Sequence, residues 1–378
     1  MFARLILIFF IFTWQGNLFA QSFYIRGIVV DGETQQPLAN ASVFINNSTS
    51  GAISNAAGEF QLGPFAPGEY EVVASFVGYN NLLYVANLRR ASLKITFQLG
   101  KKAQQMRELL ILPSETRMRY LEIFKRNLLG ESTAGQRSKI KNLKEVQFAA
   151  GSNKNEVIAY CDTTLVVDNP ELGYVIYFDL VDFYFNSSTG ESRFYGYTRF
   201  EDKDTDGETK RRWAKRRKQT YEGSSMHFFR SIVNRNLKQD GFSMQNVYRK
   251  EMKREPGVTI TVNTAGMNSM DVAVPVTEDS ILHLYSDSGY RIYELKIADW
   301  LRVLYNRNTA LKKDITRNRI ITGQMVDVTV AGIRPLKPRT PVLIDDRGRT
   351  LTPMSFYYDG MWAYERLANM LPEDYKPD

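Results

Sequence analysis

The chain has 378 residues, with 49 Lys and Arg against 41 Asp and Glu, and a formal net charge of +8 at pH 7. Hydrophobic residues make up 43% of it and aromatic residues 12%, which suffices for packed cores and excludes a wholly disordered protein. The only cysteine is Cys161, so no intramolecular disulfide can form and packing alone must stabilise the fold. The length predicts two or three domains.

The first twenty residues have the pattern of a secretory signal peptide. Arg4 precedes an apolar run from Leu5 to Phe12, and Ala20 ends the segment as a small residue before a cleavage point. The apolar run is about half the ~20 residues that a membrane-spanning helix needs. We therefore expect residues 1–20 to be removed and the mature protein to be exported, to the periplasm, the outer membrane or the medium.

Short strands separated by turns fill residues 21–100. Residues 70–77 and 92–99 alternate between apolar and polar side chains, the pattern of strands with one buried face. Turn signals stand between the strands, at Asp31-Gly32 and at Pro67-Gly68 among other places. Strands at this spacing predict an all-β sandwich.

Four short motifs follow one another in this segment: Gly27–Asp31, Pro37–Val43, Gly58–Phe60 and Gly78-Tyr79. In series they resemble the carboxypeptidase-regulatory-like, or transthyretin-like, domain, which implies a Greek-key β-sandwich. The glycines suit turn positions with positive φ, and the β-branched and aromatic residues suit a sandwich core. The resemblance therefore describes a fold and not a reaction.

Residues 101–140 are predicted to form a linker strand and a helix. Leu109 to Leu112 is apolar, and apolar residues at helical spacing follow Ser114 until Gly130, the predicted stop. In envelope proteins of Bacteroidetes, regulatory-like domains are often followed by a similar linker strand.

The remaining residues, 141–378, indicate a mixed α+β domain with an antiparallel sheet. We predict a long helix from Thr209 to Lys238 and a terminal helix across Trp362, Leu367 and Met370. Strands rich in Tyr, Phe and Val are predicted at 157–165, 173–186, 192–201 and from 258 to 305. This part resembles the second half of Bacteroidetes proteins that carry the same type of first domain and have no established activity.

Neither of the two histidines fits a catalytic set. A zinc carboxypeptidase needs an H-x-x-E pair and a third protein ligand, but Arg230 and Ser286 stand three residues after His227 and His283. A triad built on Ser225 or Cys161 would have to recruit the same histidines. We interpret His227 as packed in a helix, and we expect no enzyme activity, no metal and no cofactor.

A charged segment follows the predicted strands. Asp202, Asp204 and Asp206 resemble the start of an EF-hand loop, but Trp213 occupies the twelfth position, where a glutamate is required. We interpret the acids as a helix N-terminus, where negative charge is favourable. The basic residues that follow are the candidate site, an anionic docking patch; the alternative is a solvated helical face with some arginines paired to acids of a neighbouring strand. They are Lys210, Arg211, Arg212, Lys215, Arg216, Arg217 and Lys218.

The leading hypothesis is an exported, non-catalytic binding or structural protein of the bacterial cell envelope. We expect an envelope protein or a glycan as partner and peripheral contact with an anionic membrane surface, and export makes nucleic acid the least expected partner. One alternative is a carbohydrate-binding or carbohydrate-active protein that uses Tyr184, Tyr195 and Tyr197. Another is a small outer-membrane barrel, against which the long basic helix counts.

Overall fold

A computed structural model describes residues 22–102, 112–149, 151, 153, 155–251, 269–287, 291–307, 330–337 and 340–377. The predicted signal peptide, most of the linker strand and the segment 258–268 lie outside these residues. Within them, buried apolar side chains form three clusters, one from residues 23–99, one centred on residues 124–221 and one from residues 228–362. The predicted fold class is confirmed: an N-terminal all-β sandwich precedes a mixed α+β region with antiparallel sheets.

The N-terminal sandwich consists of two sheets that enclose the first cluster. One sheet has the strand order β4-β1-β7, with β1 parallel to β7, and the other has the order β3-β2-β5-β6. Ile25, Val43, Val72 and Phe97 are at most 1% exposed, because each lies on the inward face of its strand. The strands are β1 (Phe23–Asp31), β2 (Ser42–Ile45), β3 (Gly51–Ile53), β4 (Glu59–Phe65), β5 (Gly68–Ser75), β6 (Leu82–Leu88) and β7 (Leu93–Leu99).

The second cluster is covered by a six-stranded antiparallel sheet of order β8-β11-β12-β10-β9, with β13 paired to β12. Phe124 of helix α1 packs on Phe183 of β12, with ring centroids 4.7 Å apart. The C-terminal residues Leu367 and Leu371 return to this core. Its elements are α1 (Ser114–Leu129), α2 (Thr133–Arg137), β8 (Lys139–Ile140), β9 (Gln147–Ala149), β10 (Glu156–Tyr160), β11 (Leu165–Asn169), β12 (Tyr174–Asn186), β13 (Ser192–Asp202) and α3 (Gly207–Tyr221), with a 3-10 turn at Leu143–Glu145.

The third cluster lies between a five-stranded sheet of order β15-β14-β18-β19-β21, a three-stranded sheet of order β16-β17-β20, and helix α4. Phe228 of α4 and Trp362 are fully buried there, with ring centroids 5.1 Å apart. The elements are α4 (Ser225–Val233), α5 (Leu237–Asp240), β14 (Phe242–Glu251), β15 (Ser269–Val276), α6 (Glu278–Ile281), β16 (Leu282–Asp287), β17 (Arg291–Leu295), β18 (Trp300–Tyr305), β19 (Val330–Pro335), β20 (Val342–Asp345) and β21 (Phe356–Gly360), with a 3-10 turn at Pro353–Ser355.

The long helix predicted from Thr209 to Lys238 is wrong, because this stretch forms the three helices α3, α4 and α5. Gly223 has a φ of +79°, which ends the first helix, and the Ser224 side chain accepts a hydrogen bond from the His227 N–H and so caps the second. Arg235, with a φ of +59°, separates α4 from α5. Because of these bends, side chains of one segment pack in two cores: Tyr221 belongs to the second cluster and Phe228 to the third.

The predicted terminal helix is also wrong. Two short 3-10 turns, Met361–Tyr364 and Leu367–Asn369, occupy its place. Trp362 is buried in the third cluster and Leu367 in the second, so the chain must turn between cores instead of continuing as one helix. Among the helices of the described residues, none combines the length and the apolar character needed to cross a bilayer.

Candidate functional site

Helix α3 carries the basic residues predicted as a docking patch. Asp206 caps the helix and accepts a hydrogen bond from the Thr209 N–H at 2.9 Å, so this acid has the helix-start role that we expected of it. Trp213 and Tyr221 are its buried residues, both at most 9% exposed. The five cations that remain exposed are Lys210, Arg211, Arg212, Lys215 and Lys218.

The other two cations of the patch, Arg216 and Arg217, are turned toward the protein. Arg217 stacks on Tyr174, with its Cζ 3.8 Å from the ring centroid, and its Nη2 lies 2.7 Å from Asp202 Oδ1. Arg216 pairs with Glu171, whose side chain is only 6% exposed. Both arginines therefore stabilise the domain, and the anionic docking patch stays a prediction for the five exposed cations.

Trp213 is fixed by the turn that connects β11 to β12. Its Nε1 donates to the Pro170 carbonyl at 2.9 Å. Gly173 in this turn has a φ of +71°, and a Cβ atom there would lie 2.1 Å from Cδ2 of the indole ring. The ring therefore rests directly on the glycine backbone, a contact that only glycine permits.

A cleft of about 600 Å³ opens between α3, the end of β13, a sandwich loop and the C-terminal tail. Trp213, Tyr174 and Tyr375 contribute aromatic surface to its wall. The charged side chains are four cations, Lys203, Lys210, Arg217 and Lys376, and three acids, Asp202, Asp204 and Asp374. Its lining is therefore polar and close to electrically balanced.

The sandwich loop reaches the cleft because it extends the edge of the middle sheet. The Asn47 N–H donates to the Thr198 carbonyl at 2.7 Å, and the Phe200 N–H donates to the Ser48 carbonyl at 2.9 Å. Asn46, 5% exposed, also accepts from the Thr198 N–H at 3.0 Å. These bonds place Thr49 at the cleft wall.

The C-terminal tail is held from both sides. The Glu373 N–H donates to the Asn47 carbonyl at 2.6 Å, and Asp374 accepts hydrogen bonds from both the N–H and the hydroxyl of Thr49. From the third core, Arg230 donates to the carbonyls of Glu373 and Tyr375, each at 2.8 Å. The cleft is thus assembled by segments anchored to all three cores.

A charge cluster behind the tail joins the sandwich to the third core. Asp345 is fully buried and accepts from the Arg349 N–H at 2.8 Å, while Arg349 Nη2 lies 3.8 Å from Glu69 of β5. Burial raises the pKa of Glu373 to about 7; Arg349 opposes the rise, and the nearby carboxylate of Glu71 adds to it. Protonation of Glu373 therefore removes one negative charge from the junction between the sandwich and the third core.

His227 and Cys161 are both buried. His227 is 9% exposed, and burial lowers its pKa to about 4, so its ring is neutral at pH 7 and its Nδ1 accepts from the Gly223 N–H at 3.1 Å. Ser225 Oγ bonds Glu365 at 2.7 Å and not His227. Burial also raises the pKa of the Cys161 thiol, which disfavours the reactive thiolate.

The tyrosines singled out for carbohydrate binding are half-buried. Tyr195 and Tyr197 contact each other with centroids 6.0 Å apart, and burial raises the pKa of Tyr195 to about 12. Tyr184 lies under the guanidinium of Arg193, 4.3 Å from its centroid. In the part of the chain that the structure describes, no group of three or more His, Cys, Asp or Glu could hold a metal ion.

Local sequence patterns point to only part of this cleft. The segment from Asp202 to Lys218 stood out by its charge, but Thr49, Asp374 and Lys376 come from loops more than 150 residues away from it in the chain. Polar residues in loops are ordinary surface residues by pattern. Only the contacts of the folded chain bring these three together.

Residues 25–111 match the CarboxypepD_reg-like domain family, while no curated protein matches the chain. One similar solved structure is a cohesin–X-dockerin complex from Acetivibrio cellulolyticus, at 21% identity and a TM-score of 0.17, where the match covers 20% of this chain and about half, 52%, of that one. A candidate carbohydrate-binding protein from Bacteroides uniformis is 8% identical over 75% of this chain and 88% of that one, with a TM-score of 0.17. A candidate membrane-associated protein of unknown function from Bacteroides fragilis is 10% identical over 90% of this chain and 93% of that one, with a TM-score of 0.19.

TM-scores this low do not indicate a shared overall fold, so these three structures assign nothing to the chain. The family match covers the segment in which the turn glycines and the alternating strands occur. The N-terminal β-sandwich of this chain therefore matches the CarboxypepD_reg-like domain family over residues 25–111.

Proposed function

We propose that this protein is an exported, non-catalytic binding protein of the cell envelope, and that the cleft beside α3 is its ligand site. Export is supported by the apolar run that follows Arg4 in the sequence. The volume of the cleft, about 600 Å³, lies in the range of ~300–1,000 Å³ that small-molecule sites occupy. Among the described residues that line its wall there is neither a histidine nor a cysteine.

The ligand class that fits this cleft best is a neutral saccharide. The observation that carries the proposal is the near balance of charge in the lining, with four cations against three acids. A hydroxyl group both donates and accepts hydrogen bonds, so a polyhydroxylated ligand can satisfy ammonium and carboxylate groups together. A strongly anionic ligand would instead meet Asp202, Asp204 and Asp374 at close range.

The test is calorimetric titration of neutral oligosaccharides into the mature protein. We expect Asp204→Asn and Lys210→Gln each to weaken binding by about fivefold or more, because each variant loses roughly one hydrogen bond between the ligand and a charged group. Arg211→Gln, on the exposed face of α3 and outside the cleft lining, is the matched control and should change affinity less than twofold. If no neutral saccharide binds, or if all three variants weaken binding equally, the saccharide assignment is refuted.

A second candidate function is peripheral docking on an anionic surface through the exposed cations of α3. It is favoured by the exposure of five cations on this helix, whereas Arg216 and Arg217 are paired with acids of the protein. Each basic residue near an anionic bilayer contributes about 1 kcal/mol, falling with salt. Co-sedimentation with anionic vesicles, absent with neutral vesicles and lost in an Arg211→Gln, Lys215→Gln double variant, would support it.

A further inference from the structure

The outer face of the five-stranded sheet carries a cluster of basic and aromatic side chains. On β18, Leu301 and Val303 point into the third core, so Trp300 and Arg302 point to the opposite face. Arg302 stands opposite Gly332 of β19, and Gly332 stands opposite Asp359 of β21. None of these residues lines the cleft beside α3.

Trp300 is the fixed centre of this cluster. It is nine-tenths buried although it lies outside the core, and a Cβ atom on Gly332 would fall 2.1 Å from its Nε1. The indole therefore lies on the glycine backbone. Two guanidinium groups stack on the ring, that of Arg302 at 4.7 Å and that of Arg334 at 4.4 Å from its centroid.

The two arginines differ in what they pair with. Arg334 forms a short ion pair with Asp359. Arg302, half-buried, has neither an ion pair nor a hydrogen bond to any residue that the structure describes, and its Nε is buried without an acceptor. Buried donors in proteins are normally hydrogen-bonded, and a guanidinium presents a planar fork of donors that matches an oxyanion.

We propose that Arg302, held in place on Trp300, is the anion-binding side chain of a second site. Its guanidinium fork would bind a carboxylate, sulfate or phosphate group. Arg334 lies beside it on the same ring, with its charge paired to Asp359. Gln245, opposite Arg302 on β14, can donate an amide hydrogen at the edge of the site. The stacking leaves little freedom in the guanidinium, so the fork is held ready for a bidentate contact.

The oxyanion can be a free inorganic anion or the carboxylate of an acidic sugar, and the two are separated by titration. Sodium sulfate and sodium glucuronate are titrated into the full-length mature protein at constant ionic strength, with glucose as the neutral comparison. Tighter binding of glucuronate assigns the site to an acidic saccharide, and tighter binding of sulfate assigns it to an inorganic anion. Failure of both anions to bind overturns the proposal, and it does so independently of the cleft.

Three variants establish whether Arg302 is the group that binds. Arg302→Met keeps the aliphatic stem and should weaken anion binding about tenfold or more. Arg302→Lys keeps the charge but not the planar set of donors, so its anion affinity should lie between those of the wild type and Arg302→Met. Arg249→Met is the matched control, because Arg249 lies on the same sheet and is already paired with Asp271. It should change affinity less than twofold.

Stability in the absence of anions separates binding from packing. If Arg302 serves a ligand, Arg302→Met lowers the unfolding midpoint by no more than the loss of its stacking contact with Trp300 accounts for, because no ion pair or hydrogen bond to a described residue is lost. A lowered midpoint together with unchanged anion affinity would mean that Arg302 only covers Trp300, and the proposal would be wrong.

Discussion

The contact between Gly173 and Trp213 allows a paired test of how the cleft is built. The perturbation is Gly173→Ala, which adds one Cβ atom at a φ of +71°, 2.1 Å from the indole ring. Gly190→Ala is the matched control, because Gly190 has a φ of +72° and no atom of the described residues lies within 4 Å of its added Cβ. The two variants share the backbone strain and differ only in the clash.

The expected magnitudes follow from these two terms. Alanine at a left-handed position costs about 1–2 kcal/mol, which is the whole expected effect at Gly190. Displacing the ring at Gly173 adds an overpacking cost of about 1–3 kcal/mol. Loss of the 2.9 Å hydrogen bond from Trp213 to Pro170 would add about 1 kcal/mol more. We therefore expect Gly173→Ala to be the more destabilising of the two by about 1–4 kcal/mol.

The assay is urea denaturation followed by far-ultraviolet circular dichroism, with tryptophan emission as a second probe. In a Trp213→Leu background the gap between the two alanine variants should narrow, because the flexible leucine can move away from the new methyl group. Equal losses of stability in the two variants, with no change in emission, would refute the packing of Trp213 on Gly173.

Three further predictions concern the cores and their junction. Since the pKa of Glu373 is raised in the folded state, its contribution to the free energy of unfolding falls as pH rises from about 4.5 to about 7. Glu373→Gln should therefore be more stable than the wild type at pH 8, by about 2 kcal/mol after allowance for partial exposure, and equally stable near pH 4. Thermal melts across this pH range measure the difference, and a difference in stability that does not vary with pH would contradict the prediction. Phe228→Ala should destabilise the protein by about 3–5 kcal/mol in denaturant titrations, because Phe228 is fully buried in the third core. Met118→Ala should cost less than about 0.5 kcal/mol, because Met118 is 68% exposed. Similar losses of stability in the two variants would argue against the assigned core. Cys161, buried and with a raised pKa, should react with a thiol reagent only after unfolding, and rapid labelling of the native protein would contradict its position.

The sequence was most informative where structure is local. Alternation of apolar and polar residues in β5 and β7 and the turn glycines are properties of neighbouring residues, and they were sufficient to predict the sandwich. The same holds for the helix start at Asp206. The long helix failed because Gly223 and Ser224 sit within an otherwise helical pattern and their effect depends on which core each side must reach.

Contacts between distant segments could not be predicted in this way. The loop at Asn46–Ser50 has the composition of an ordinary polar turn, yet it extends the edge of β13 and holds the C-terminal tail. Arg302 likewise looks like any strand arginine until the register places Gly332 opposite it and Trp300 beneath it. Both sites depend on which distant segments come together in the folded chain, and the local pattern of each segment does not specify this.

Hydrogen exchange of the backbone amides, with and without a neutral oligosaccharide, tests the central claim most directly, because the ligand must contact three separate segments at once. We expect slower exchange confined to residues 47–49, 203–217 and 372–376, with the sandwich strands and the outer face around Trp300 unchanged. Unaltered exchange in those three segments, or protection only at other places in the protein, would contradict the assignment of the cleft as the ligand site.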